Sequence, residues 1–492
     1  MHRTFRHLAT LAVTLLCARA SAGPLEDAHV ADTGFSGPTR SDLASVYWNP
    51  AGLGLLRGPQ IMVGGAWQST SVSVARASID PATGGNPGAT DFAATSGSAT
   101  LHPFRWPLGP GGFAAIGAGI GHRFGIAIAL YSPFSSRLDM KPTADGELPT
   151  RYHLVGMRFD HIALAMGLAL HVSDFIQIGV APGLLFPTAR LVFDEDTGLG
   201  SADPALGTPT SGAENPALSA RYDLASRGVQ VPSYLLTFGA QYRRGRFTLG
   251  LAYTTAPLGT GGLVTLPLDT IRITPPGGTP EDLCATSSTA NCLIGQMRYR
   301  LPSVYTLGAT WQATSHWAAT GIVRWIRNGA HDNVTILVAG PASQAALGGS
   351  LPDHVVLYRG FRDSFDLRGR AVYEAKHFRA SGTLRLETSA VPASRVSAAA
   401  IDGFQVEPSL AAEMRVWRQV RLSVGYALTY MFPVDTGPSV FDPTAVAACA
   451  AAGGELSNPS CQARLRGQAR PSAAGTYHLW RQTLSVYTSF GF

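Results

Sequence analysis

The chain has 492 residues, and charged residues make up only 14% of it, against about 25% in an average soluble protein. Its formal charge of +6 is carried by arginine, since Lys141 and Lys376 are the only lysines. No basic run or basic helix accompanies that charge, so no nucleic-acid partner is expected and anionic lipid headgroups are the better match. No stretch of about 18 apolar residues occurs, which excludes a transmembrane helix. Low charge and 55 glycines without a spanning helix suit a membrane β-barrel, whose size follows strand number rather than a filled core. A large secreted β-protein is the competing reading.

In chain order, Arg3 and Arg6 precede an apolar stretch from Leu8 to Cys17, then Ala20-Ser21-Ala22. A charged start, a short apolar run and a small-residue site predict a signal peptide over 1–22, cleaved after Ala22. Leu16 is too bulky for lipid attachment at Cys17. Residues 23–58 follow, with Val46, Tyr47, Trp48 and Leu53 as apolar bulk and Pro50 and Gly52 as breakers. This segment is expected to fold into the lumen as a plug, and its aromatic content argues against a disordered leader.

From residue 59 to 492 the pattern is period 2, as in a wall with lipid on one side and lumen on the other. Leu422, Val424, Tyr426, Leu428, Tyr430 and Phe432 share one face, with Arg421, Ser423, Gly425, Ala427 and Thr429 on the other. Leu484 to Phe492 and Phe247 to Tyr253 repeat the pattern. Tight reversals are expected near His122, Ser173, Arg244, Ser315, Lys376 and Arg418. Long loops are expected over 76–110, 136–150, 194–227, 258–296, 330–354, 390–403 and 433–477. Six turns alternating with seven loops predict an all-β, antiparallel barrel of 14 strands with both chain ends on the short-turn side.

Asp366, Arg368 and Arg370 fall on one face of their strand, as do Arg379, Arg385 and Glu387, and they are expected to point inward. A guanidinium fork there could meet a ligand carboxylate, which makes Arg368, Arg370 and Arg385 ligand candidates. Arg–Asp/Glu pairs that simply fill the lumen are the structural alternative. Without the signal peptide four cysteines remain, in two local pairs, and loop disulfides Cys284–Cys292 and Cys449–Cys461 are expected. No cofactor or metal is expected. Their spacing matches no zinc site, and Asp194-Glu195-Asp196 reads as a solvated loop. Gly117 to Gly121 lacks a complete nucleotide fingerprint, and no GxSxG supports an esterase.

The run Asp42-Leu43-Ala44-Ser45-Val46-Tyr47-Trp48-Asn49-Pro50-Ala51-Gly52-Leu53 resembles the N-terminal hatch of the FadL/TodX family of hydrophobic-compound transporters, with Asn49-Pro50-Ala51 as its motif. Tyr131-Ser132-Pro133-Phe134, Val231-Pro232-Ser233-Tyr234 and Leu301-Pro302-Ser303-Val304-Tyr305 are further echoes, and the terminal Phe492 resembles an outer-membrane assembly signal. The resemblance implies a monomeric, non-enzymatic outer-membrane protein that takes up fatty acids or aromatic hydrocarbons without an energy source. It also implies a hatch-lined pocket, with Val46, Tyr47, Trp48 and Leu53 as lining, and lateral release into membrane lipid beside a third strand kinked at Pro133. Assembly machinery would be its protein partner. A diffusion porin, an outer-membrane lipase and a surface adhesin are the alternatives.

Overall fold

The computed structural model describes residues 29–76, 92–96, 112–142, 148–196, 219–226, 232–274, 279, 281–282, 295–338, 354–442 and 445–491. The expected signal peptide, the Cys284/Cys292 pair and Phe492 lie outside these residues.

The strands close into one antiparallel barrel of 14 staves. In chain order they are β1 (Pro59–Arg76), β2 (Phe92–Ser96 and Phe113–Ile120), β3 (Phe124–Asp139), β4 (Gly156–Ser173) and β5 (Ile176–Asp196). Then come β6 (Ser219–Ser226 and Ser233–Arg244), β7 (Phe247–Thr254 and Leu263–Thr274), β8 (Gly295–Arg300 and Val304–Gln312), β9 (Trp317–Ile326 and Asn333–Val338) and β10 (His354–Tyr358 and Ser364–Glu374). The circle ends with β11 (Phe378–Glu387), β12 (Gln405–Arg415), β13 (Val420–Thr436) and β14 (Gly475–Gly491), and β14 pairs with β1 from Gln60↔Gly491 to Arg76↔Gly475. Pairing of β14 with β1 closes the circle, which removes the open edges of a large sheet.

All six tight reversals fall where the alternation places them. The long loops, however, are shorter than the sequence predicts. Phe92–Ser96, Ser219–Ser226, Leu263–Thr274 and Asn333–Val338 are strands inside stretches read as loops. The reason is chemical, because the barrel's polarity inverts partway up. In the half near the tight turns, the outward face is apolar, with Ile128, Leu251, Leu307, Leu367 and Leu410 all exposed. In the far half, Arg190 pairs with Asp223 outside at 2.7 Å, whereas Leu191, Phe193, Leu266, Met297 and Ile336 are buried inside. A strand that is polar outside and interrupted by proline looks like a loop in sequence.

Aromatic rings mark the boundary. Tyr253, Tyr305, Trp325 and Phe365 form a stacked row across β7 to β10, with centroid separations of 4.5, 5.0 and 6.4 Å. A second group, Phe247, Trp311, Trp317, Phe378 and Phe490, lies exposed beside the tight turns. Eight steps separate Trp317 from Trp325, and at about 3.3 Å per step and about 40° of tilt they span about 20 Å of height, close to a membrane barrel's apolar band. Among the described residues no helix is long and apolar enough to cross a membrane.

Where polarity changes, strands break. On β3 the register with β4 jumps from Tyr131↔Ala163 to Phe134↔His161, so two residues, Ser132 and Pro133, face one. This bulge turns both Tyr131 and Phe134 inward. Leu301-Pro302-Ser303 similarly separates the two pieces of β8, where a proline costs no ladder bond.

Candidate functional site

Residues 29–58 pass through the lumen and are stitched to the wall along their length. Tyr487 Oη donates to His29 O at 3.1 Å, Ser423 Oγ to Thr33 O at 3.1 Å, and Ser381 Oγ to Gly34 O at 2.7 Å. Arg370 Nη1 donates to Ser36 O at 2.5 Å, and Thr39 and Thr310 hydroxyls meet at 2.7 Å. The segment ends in a short helix, α1 (Ser45–Trp48), followed by a 3-10 turn over Pro50–Leu55.

The Asn-Pro-Ala motif has a physical account here. Asn49 caps the 3-10 turn by accepting from Ala51 N at 3.2 Å, and Pro50 occupies the first position, where no N–H is needed. The Asn49 amide then donates to Pro38 O at 2.7 Å and to Ala240 O of β6 at 3.0 Å, so one fully buried side chain ties cap, segment and wall together. The wall is glycine where the segment touches it. A methyl added at Gly239 would strike Asn49 Oδ1, one at Gly179 the Ala51 nitrogen, and one at Gly125 the Leu53 carbonyl.

Above this seat lies a charged layer. Asp366, with no exposed surface, receives Arg368 at 2.6 Å and Arg385 at 3.1 Å, with Arg324 at 3.9 Å. Arg385 also pairs with Glu387 and, at 3.3 Å, with Glu407. From the N-terminal segment, Asp32 meets Arg368 at 3.4 Å and Arg370 at 3.7 Å, and His29 meets Glu407 at 3.5 Å. The Arg324 and Arg368 guanidiniums lie over the Trp48 ring, at 5.0 and 5.1 Å from its centroid. Such stacking is favourable once water is excluded. Arg368, Arg370 and Arg385 are thus brought together as expected, and acids of the wall and of the inserted segment answer their charge.

Tyr47 links the charged layer to the rest of the lumen. Its hydroxyl takes a bond from Arg324 at 3.3 Å, and its ring meets Tyr131 edge-on at 5.4 Å. Val46 and Leu53 turn elsewhere, packing on β4 over Gly167. Beyond Tyr131 the lumen is apolar and aromatic, lined by Phe113, Phe134, Leu138, Met157, Phe159 and Tyr299 among others. Pro133 lies at the bulge beside this chamber. Past Tyr131, the described residues of β2 offer β3 no ladder partner.

The far end of this apolar half is covered by residues 437–442 and 445–474, which carry two short helices, α2 (Ala445–Ala451) and α3 (Pro459–Leu465), joined by the Cys449–Cys461 disulfide. Arg470 donates to Tyr152 O, His153 Nε2 to Pro471 O and Arg76 to Ser472 O, each at 2.7 Å. Burial and the neighbouring Arg470 and Arg76 lower the His153 pKa to about 3, so the ring is neutral. At the opposite end, a cavity of about 250 Å³ lies between the inserted segment and the wall, lined by Arg40, Asp42, Arg379, Glu413 and Arg421 among others. Among the described residues, no cluster of His, Cys, Asp and Glu could hold a metal.

Sequence reasoning missed Arg324, Asp32 and His29. Arg324 alternates with Val323 and Trp325 and was readable. The other two lie outside regular strands, where alternation carries no information.

No family model matches the chain, and no curated protein matches it in sequence. Solved structures do match in shape. A Pseudomonas aeruginosa FadL homologue superposes with a TM-score of 0.66 at 13% identity, covering 96% of this chain and 100% of that one. The Pseudomonas putida toluene transporter TodX gives 0.59 at 11% identity, covering 94% and 98%. The Ralstonia pickettii toluene transporter TbuX gives 0.57 at 13% identity, covering 95% and 98%. From end to end, this chain has the fold of the FadL- and TodX-type barrels.

Proposed function

We propose that the protein is an outer-membrane channel for passive uptake of hydrophobic small molecules, with long-chain fatty acids as its first substrate class. The observation that carries this reading is the division of the lumen. Beyond Tyr131 the buried luminal side chains form an apolar, aromatic cluster, and an ion-paired layer with an inserted segment closes the other end. An apolar ligand partitions into such surroundings, whereas a porin's polar solutes need a wet path. In this reading residues 23–58 are the hatch, extracellular loops capture the ligand, and Tyr47 and Trp48 form the chamber's floor. The bulge at Pro133 is the lateral way out into lipid. The terminal Phe492 addresses the assembly machinery, and the channel works as a monomer without catalytic chemistry.

A second reading, an aromatic hydrocarbon as ligand, draws on the ring-rich lining of Tyr131, Phe134, Phe159 and Tyr299 and on the toluene transporters among the structural relatives. Uptake of labelled oleate and labelled toluene by cells lacking their own transporters separates the two. Asn49→Ala at matched surface expression tests the hatch. It removes the amide that binds Pro38 and Ala240, at a cost of about 1–3 kcal/mol to the seat, and uptake of the true ligand should fall. Uptake that is absent from an assembled barrel, or indifferent to Asn49→Ala, overturns hatch-gated transport.

A further inference from the structure

The cavity of about 250 Å³ at the tight-turn end lies apart from both the ion-paired layer around Asp366 and the apolar half beyond Tyr131. The inserted segment forms one side of it, and the ends of β1, β11, β12, β13 and β14 nearest the tight turns form the other. At roughly 30 Å³ per water molecule, it has room for a small oxyanion with part of its hydration. Four arginines, Arg40, Arg379, Arg418 and Arg421, line it against two acids, Asp42 and Glu413. Glu413 is shared, 3.1 Å from Arg379 and 3.6 Å from Arg421. Among the described residues no ion pair within 4 Å holds Arg40 or Arg418.

The polar atoms turned toward this space are poorly answered by the protein itself. Arg379 is 6% exposed and Arg40 is half-buried, and the Nε of each has no hydrogen-bond partner. A Glu374 oxygen stands off from Arg379 Nε at 3.7 Å. Asp42 presents the opposite need, because its Oδ1 is buried and receives no donor. Water can fill the cavity, but it leaves Arg40 without a counter-charge. A fully ionised oxyanion such as sulfate supplies that charge, yet it sets a lone pair and a like charge against Asp42. An oxyanion that still carries a proton meets both needs, accepting from the guanidiniums and donating its O–H to Asp42 Oδ1.

We propose that this cavity binds a phosphate group that retains a proton, its oxygens on the arginines and its O–H on Asp42. Inorganic phosphate and the phosphomonoester headgroup of a phosphatidate present the same chemistry. Arg40 and Asp42 belong to the inserted segment, whereas Arg379 and Arg421 belong to the wall, so an occupant also holds the segment in its seat. The site is independent of which hydrophobe the barrel carries.

The test is calorimetric titration of the purified full-length barrel in neutral detergent with sodium phosphate and sodium sulfate at matched ionic strength. At about pH 6, near the second ionisation of a phosphomonoester, phosphate keeps a proton and sulfate has none. The unsubstituted protein should favour phosphate by roughly tenfold, the worth of one well-placed hydrogen bond. Asp42→Asn should bring the two anions to within about twofold, and Arg40→Gln should weaken phosphate by about tenfold. Gln419→Glu adds a carboxylate at the exposed rim of the cavity and disturbs no buried group, so it should weaken phosphate even if Arg40→Gln unseats the segment. Arg244→Gln, at the same end of the barrel but outside the cavity, should change nothing. Phosphate at ten times its Kd should slow amide hydrogen exchange across residues 40–48 by about tenfold. Displacement of phosphate by dihexanoylphosphatidate, with dihexanoylphosphatidylcholine as control, supports the site with a lipid headgroup as its occupant; failure to displace supports it with the free anion. An assembled barrel that shows no saturable phosphate binding, binds sulfate equally well, or loses as much affinity through Arg244→Gln as through Arg40→Gln overturns the proposal.

Discussion

Asp366 shows how much a single side chain inside a barrel can hold. It has no exposed surface and faces three arginines, two of them within 3.1 Å. Asp366→Asn leaves those guanidiniums buried with one compensating charge fewer, and removing one partner of a buried pair costs about 3–5 kcal/mol. The exposed pair Arg190–Asp223 is the control, since Arg190→Ala should cost no more than about 1 kcal/mol. Unfolding midpoints read from heat-modifiable migration should therefore fall clearly for Asp366→Asn and barely for Arg190→Ala. Equal shifts would mean that the luminal layer is wet and screened. That Asp366, Arg368 and Arg385 point inward was legible from alternation with Phe365, Leu367 and Leu384. Their partners were not legible, because His29 and Asp32 arrive from more than 300 positions away in the chain. Asn49 is intermediate: its place in the motif was readable, but its hold on Ala240 depends on a register that only the closed barrel supplies.

At the scale of elements, the covering loop is held by groups that respond to acid. His153 donates to Pro471 O at 2.7 Å with its ring packed on Phe441 at 4.5 Å, and its pKa there is about 3. Once the loop lifts, the ring returns toward the ordinary value of about 6.5 and takes up a proton. The open state therefore binds more protons than the closed one. Closure contributed by His153 is fully present above about pH 6.5 and is lost as pH falls toward about 3, at up to about 1.4 kcal/mol per unit. Spin labels on Leu456 of the loop and Arg158 of β4 should show a distance distribution that broadens between pH 7 and pH 4.5. His153→Gln should remove that response. A response that persists unchanged in the variant would assign the acid sensitivity to another group. The loop's helices and its seat on the barrel were not readable from sequence, because Gly, Ser and Pro mark where a strand stops and not where the intervening chain goes. The broken strands hid for a related reason: Val264, Leu266 and Leu268 do alternate, but Thr265 and Pro267 stand between them and the flanks are Gly- and Pro-rich.

For the whole molecule, polarity inversion fixes where the barrel sits in a membrane. One strand can carry both halves: β5 turns its odd positions inward from Gln177 to Phe193, while its outward face changes from Ile178 to Arg190. Only the lower half can face hydrocarbon, because a charge near the bilayer midplane costs about 2–4 kcal/mol. In the proposed orientation the upper half stands in water outside the cell with its apolar face turned in. Single cysteines tested with a membrane-impermeant maleimide check both depth and direction. Arg298→Cys, on the polar exterior of β8, should react in intact cells. Leu251→Cys, in the apolar belt of β7, should stay unreactive above the background of the unsubstituted chain even when the envelope is opened. Lys376→Cys, in the tight turn between β10 and β11, should react only after opening. Reaction at Lys376 in intact cells would invert the protein, placing the aromatic chamber on the periplasmic side and making it an exit vestibule. Protection at Arg298 would instead mean that lipid rises past the aromatic rings, and the polar outer pairs such as Arg190–Asp223 would then need a partner other than water.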